Sequence, residues 1–162
     1  MSEPRSETVI ISPHFDDAEI GNWEIITNPL IKPIIIYMQQ NDEERKNEAL
    51  KLKDMLDNIQ VQLFQKTVPQ MFLSPRNTLY FPDHINEFHP DHREWGFYGE
   101  ELFRQGLNVI FYSINMQAPY IHKVKKSKEK KEFLDKLYPS QKDMWKYDHK
   151  YFLWEGRYRF LM

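Results

Sequence analysis

Metal-ligating side chains stand three residues apart at two places in this chain. His14 and Asp17 lie in the stretch Ser12-Pro13-His14-Phe15-Asp16-Asp17-Ala18-Glu19-Ile20-Gly21, and His89 and His92 in His89-Pro90-Asp91-His92. In the first turn of a helix, residues three apart project to one side. His14 and Asp17 can therefore face one ion while Asp16 points in another direction. Two imidazoles and one carboxylate with an open position make a catalytic metal site, because the open position holds the reactive water. Asp16 is then free to act as general base on that water. One of His89 and His92 would be the third ligand, leaving the other for the substrate. The chemistry that follows is metal-dependent hydrolysis.

Such a site needs elements that bring the two motifs together. Thr8-Val9-Ile10-Ile11 is a β-branched run that reads as a buried parallel strand ending at the first motif. A helix is expected over 17–26, closed by Asn28-Pro29, and a second buried strand over 33–38. Asn41-Asp42-Glu43-Glu44 starts another helix, with acidic residues where the macrodipole favours them. Ala49, Leu52, Met55, Leu56 and Ile59 carry its helical spacing to about Asn58. Strands are expected at 61–64, 78–81 and 108–112. A helix opens at Pro90, which suits a first turn, and is stopped by Gly106. Beyond Ser113 the pattern predicts an edge strand over 120–124, a helix over 128–138 and partial helix over 140–157. Strand and helix alternate as in a parallel sheet covered on both faces, an α/β fold in three layers. In open sheets of this kind ligands bind beyond the carboxyl ends of the strands, where both motifs fall.

Composition narrows the rest. The 162 residues, 41% apolar and 15% aromatic, suit a single folded domain over 1–162. With no cysteine, disulfides, thiolate metal sites and cysteine nucleophiles are excluded. The longest apolar run, Ile34 to Met38, is too short to cross a bilayer, and the polar start Met1 to Glu7 has no signal-peptide pattern. A cytoplasmic protein with no membrane partner is the expectation. Residues 1–119 hold 10 basic and 18 acidic side chains, and 120–162 hold 12 and 6. The basic run from His122 to Lys131 reads as a solvated helix start and not as a nucleic-acid surface, since aromatic residues do not interleave it. Trp95-Gly96-Phe97-Tyr98 and Tyr151-Phe152-Leu153-Trp154 read as core or as a contact in a homo-oligomer. The five glycines are scattered, so no phosphate loop exists.

The first motif resembles the P/A-H-P-D-D-x-E-x-G signature of the LmbE-like, or PIG-L, family of metal-dependent de-N-acetylases, and His89-Pro90-Asp91-His92 resembles its H-P-D-H element. Arg45 with Glu48-Ala49 is similar to the family's R-x-x-E-A helix start, and Tyr138-Pro139-Ser140-Gln141 to its Y-x-S-Q segment. The resemblance implies a Rossmann-like fold and removal of an acetyl group from an N-acetylglucosamine-type sugar or glycoconjugate, usually with zinc. It implies His14, Asp17 and His92 as metal ligands and Asp16 as the base acting on a metal-bound water. His89 would stabilise the oxyanion and protonate the leaving amine, oriented by Asp91, and Arg45 would contact the sugar. Zinc lowers the pKa of bound water to about 7, and iron(II) suits the same ligands.

Several positions depart from the family pattern. Phe15 replaces a proline and puts a bulky ring near the metal, Asn22-Trp23 replaces small residues, and Met38-Gln39-Gln40-Asn41 replaces a Gly-containing loop. These bear on the substrate more than on the reaction. A metal-bearing module that binds a sugar or nucleotide without turnover is the alternative reading. Two histidines and a carboxylate also describe a non-haem iron oxygenase, which the alternation of β and α disfavours. Pro82-Asp83-His84 repeats Pro90-Asp91-His92, so His84 competes as a ligand. His92 is preferred because it stands at a helix start, and His84, His122 and His149 are read as surface residues.

Overall fold

Alternation along five strands sets the layering of the molecule. The computed structural model describes residues 6–38 and 41–160. β1 (Thr8–Ser12), β2 (Ile34–Met38), β3 (Val61–Gln65), β4 (Thr78–Pro82) and β5 (Asn108–Tyr112) run parallel in the order β3-β2-β1-β4-β5. On one face Ile10, Ile35, Tyr37, Tyr80 and Tyr112 join a single core cluster, and on the other Val9, Ile11, Ile34, Ile36, Leu79, Phe81, Val109 and Phe111 join a second. Each fully buried aliphatic side chain contributes about 1.5–3 kcal/mol, so neither face can be left bare.

The helices cover both faces. α1 (Asp17–Ile26), α2 (Glu43–Leu50) and α3 (Leu52–Met55) bring Ala18, Ile20, Ala49 and Leu52 to the first cluster. α4 (Pro90–Arg104) covers the second face through Leu102, together with Val68 and Phe72. α4 lies close to the sheet because Gly96 and Gly99 lack a side chain there. A Cβ on Gly96 would stand 2.6 Å from the Pro82 carbonyl oxygen, and one on Gly99 would stand 2.7 Å from the Phe81 ring. The result is a three-layer α/β/α, Rossmann-like architecture with a six-stranded, mostly parallel sheet.

The C-terminal third departs from expectation. β6 (His122–Lys123) does not extend the main sheet; it pairs with β7 (Trp154–Glu155) in a separate antiparallel ribbon. The sixth strand of the sheet is β8 (Arg157–Tyr158), antiparallel to β5. Two-residue strands carry too little alternation to be read from sequence. α5 (Ser127–Leu137), α6 (Lys142–Tyr147) and α7 (Lys150–Leu153) fill the expected helical regions. The helix expected from Asp42 to about Asn58 is broken instead at Lys51, whose N–H bonds Glu48 O at 3.1 Å, and it ends at the extended Leu56. That tight turn puts Ala49 and Leu52 into the core while Leu50 stays exposed.

Lys130 corrects the reading of the basic run. Lys125, Lys126 and Lys128 are exposed, but Lys130 is fully buried, donating to Ile20 O at 2.6 Å and to Glu155 Oε2 at 2.8 Å. It ties α5 to α1 and β7. No described helix is long and apolar enough to cross a membrane.

Candidate metal centre

The order in which strands are added reverses about β1: β2 and β3 extend the sheet to one side, β4 and β5 to the other. The carboxyl ends of β1 and β4 flank that switch point, where open α/β sheets leave a crevice. His14, Asp16 and Asp17 follow β1, and His89, Asp91 and His92 follow β4.

The turn after β1 is closed by side chains. The Ser12 hydroxyl donates to His14 O and accepts from Ala18 N at 2.9 Å. Tyr138, from the far end of α5, donates its hydroxyl to Phe15 O. Asp17 Oδ2 accepts from the His14 backbone N–H at 2.8 Å, which fixes the carboxylate under the histidine ring. After β4, His89 caps α4 by accepting from Asp91 N at 3.1 Å, and Pro90 occupies the first turn. His92 thereby enters the crevice from the first turn of α4 and is buried.

Three predicted ligand atoms converge. His14 Nδ1 lies 3.0 Å from Asp17 Oδ2, His92 Nε2 lies 3.1 Å from the same oxygen, and the two nitrogens are 3.2 Å apart. Tetrahedral ligands about 2.0–2.1 Å from one ion stand roughly 3.3–3.4 Å from each other. Both the nitrogen–oxygen donor set and its spacing fit a small divalent cation. His89 belongs to the same cluster, with ligand atoms of His14, His89 and His92 all within 4.8 Å of one another, so these three imidazoles could also hold a metal ion.

The electrostatics of these side chains point the same way. Burial disfavours charge on Asp17, yet His92 and His14 hold its carboxylate far below the ordinary range. Burial likewise opposes charge on His92, but Asp17 raises it to about 10. His14 is also raised by Asp17 against the effect of burial. The buried carboxylate thus favours positive charge on its neighbours, and a divalent cation would supply that charge in place of protons on the imidazoles.

Asp16 lines the same cleft but stands outside this triangle. Burial and the neighbouring Asp17 push it up to about 6, with Arg45 acting in the opposite direction. Its Oδ1 meets Arg45 at 2.5 Å, and its buried Oδ2 has no hydrogen-bond partner among the described residues. Arg45, expected to reach the substrate, is thus paired with the predicted base. His89 is half-exposed and lowered by burial and by the adjacent His14 and His92. Because its Nδ1 accepts a backbone N–H, its neutral ring carries the proton on Nε2. All these residues line one cleft of about 280 Å³, closed on its other sides by Ile20, Ile114, Asn115, Gln141, Met144 and Tyr151.

Three expectations need correction. The Asp91 carboxylate is not what orients His89: its Oδ2 is 3.9 Å from His89 Nδ1, which takes the Asp91 backbone N–H instead, and stands 2.9 Å from His14 Nε2. The Phe15 ring is buried and packs on Tyr37 and Phe64 with centroids 5.7 and 6.0 Å apart, away from the cleft. His84 is not on the surface. It is 3% exposed, with rings of Phe97 and Phe111 centred 4.7 and 5.2 Å from its own. His122 and His149 are exposed as expected. Gln39 and Gln40 of the altered loop, and Met1 to Arg5 of the N-terminus, lie outside the described residues.

Glu87 escaped the sequence reading. It is buried, its Oε1 accepts from Ile114 N at 2.6 Å and Asn115 N at 3.0 Å, and its Oε2 faces His92 Nδ1 at 3.5 Å. Its only sequence signal is an acidic residue two positions before His89. No family model matches the chain, and no curated protein or solved structure matches it either. The likeness to the de-N-acetylases therefore stands on the motifs alone.

Proposed function

We propose that the protein is a metal-dependent amide hydrolase that removes an N-acetyl group from an N-acetylglucosamine-type sugar or glycoconjugate. The observation that carries this reading is the convergence of His14 Nδ1, Asp17 Oδ2 and His92 Nε2 within 3.2 Å at the switch point, beside a carboxylate outside the triangle. These three would hold a divalent cation, zinc by ligand type. When bound, such an ion polarises the amide and acidifies a water at neutral pH.

The chain's own residues supply the rest. Asp16, near 6, is matched to accept a proton from water at neutral pH, and its Oδ2, without a hydrogen-bond partner among the described residues, has a free lone pair for it. His89 can donate a hydrogen bond from Nε2 to the oxygen that gains charge, and the proton that Asp16 takes from water can pass on to the leaving amine. Ile114, Met144 and Tyr151 supply apolar walls that limit water in the cleft. One observation favours the second reading, a sugar- or nucleotide-binding module without turnover: the Arg45 guanidinium on Asp16 weakens that carboxylate as a base.

Acetate release from N-acetylglucosamine-type substrates by the zinc-loaded protein separates the two. Asp16→Asn should keep zinc and lose about 100-fold or more in turnover, while His14→Ala should lose both. Full turnover in Asp16→Asn would remove the assigned mechanism, and zinc binding with no turnover in the wild type would leave the binding module.

A further inference from the structure

Two buried atoms near the cleft, His92 Nδ1 and Glu87 Oε2, face each other 3.5 Å apart, neither with another hydrogen-bond partner among the described residues. Glu87 is 3% exposed, and among the described residues no cation pairs with it other than the His92 ring. A buried carboxylate is kept in such a place only when something needs it. We propose that Glu87 is a positioning residue that selects the His92 tautomer and couples it to the loop after β5. This inference rests on the metal reading above.

A carboxylate accepts hydrogen bonds and cannot donate one. Facing His92 Nδ1, Glu87 favours the ring form with hydrogen on Nδ1, which leaves the Nε2 lone pair toward Asp17 and His14. That is the form able to ligate, and a carboxylate behind a ligating imidazole also makes it more basic. Asp91 does the mirror-image service for His14, where Nε2 meets the carboxylate at 2.9 Å and Nδ1 faces the cluster. The two histidines thus present opposite nitrogens, each backed by its own carboxylate.

The other oxygen of Glu87 has a separate task. By accepting from Ile114 and Asn115 it holds the loop that forms one wall of the cleft. That loop contains Met116 at φ 58°, the one described non-glycine residue in the left-handed region, and a backbone of this kind persists only when its surroundings hold it. One side chain therefore registers a metal ligand and a substrate wall against each other.

Glu87→Gln isolates the tautomer effect. With Oε1 engaged by two backbone N–H groups, the glutamine carbonyl must take that place and its amide must face His92 Nδ1. An amide N–H there would favour hydrogen on Nε2, the form that cannot ligate. Zinc affinity, measured by chelator competition, should fall about 10–100-fold, with the melting temperature of the metal-free protein near that of wild type. In the zinc-loaded wild type, ring 15N NMR should show His92 ligated through Nε2 with hydrogen on Nδ1, and His14 the reverse. Equal zinc affinity in wild type and Glu87→Gln, or His92 ligated through Nδ1, would overturn the inference alone. A wild type that does not bind zinc would overturn the metal reading and this inference together. Should Glu87→Gln fail to fold, the wild-type NMR result decides.

Discussion

Pro82-Asp83-His84 and Pro90-Asp91-His92 share three letters and differ in everything the fold does with them. The first ends β4 and the second opens α4. Asp83 is fully buried. Its Oδ1 accepts from Ile85 N at 2.8 Å and Tyr158 Oη at 3.0 Å, and its Oδ2 from Asn86 Nδ2 at 2.8 Å and Tyr120 Oη at 2.5 Å. Asp91 is more than half exposed and has His14 as its partner. His84 sits among aromatic rings with Nε2 3.6 Å from Glu100 of α4, whereas His92, in the cleft, meets Asp17 and Glu87. Backbone setting, and not residue identity, makes one copy a structural knot and the other a site. A carboxylate whose lone pairs are spent on neutral donors holds a loop; one left facing an imidazole tunes a ligand.

The contrast predicts crossed mutational effects. The largest should come from Asp83→Ala, which strands two hydroxyls, an amide and a backbone N–H. It should cost roughly 3–4 kcal/mol in urea denaturation, while the fraction that remains folded binds zinc as the wild type does. Asp91→Ala should do the opposite. Stability should change by less than about 1 kcal/mol, but zinc affinity should fall about 10–100-fold because His14 loses the carboxylate behind it. A stable Asp83→Ala protein, or an Asp91→Ala protein with unchanged affinity, would erase the distinction.

The smallest effect concerns pH. Burial lowers the His84 pKa from its usual 6.5, against the opposing pull of Glu100 and Asp83. The unfolded chain therefore takes up this proton first as pH falls through 6.5, and the contribution of His84 to stability declines below that point. His84→Phe cannot bind that proton. At pH 7.5 it should lie within about 1 kcal/mol of wild type, and the difference should move in its favour between pH 7 and 5. Thermal melts at several pH values would show parallel curves if His84 were instead solvated.

Much of this molecule was legible in its residues. Thr8 to Ile11 and Pro33 to Met38 carry the β-branched runs of a buried parallel sheet, and the three-residue spacing of His14 with Asp17 states its own geometry. Where local pattern gave way, long-range contacts had taken over. Tyr158 joins the sheet through a two-residue strand, and Lys130 is buried because Glu155, 25 residues away, awaits it. His84 looked solvated because its aromatic neighbours come from α4, β5 and the chain end. Glu87 has no periodicity to mark it, and its role depends on Ile114 and Asn115, 27 and 28 residues on. Arg45 was read toward substrate because nothing in sequence shows Asp16 facing it.

The most direct measurement is a crystal structure of the protein as purified, with anomalous scattering recorded across the zinc and iron edges. The account predicts one ion bound by His14 Nδ1, Asp17 and His92 Nε2, with Asp16 beside it but not ligating. An ion seated on other residues, or these three side chains separated with no ion between them, would contradict it.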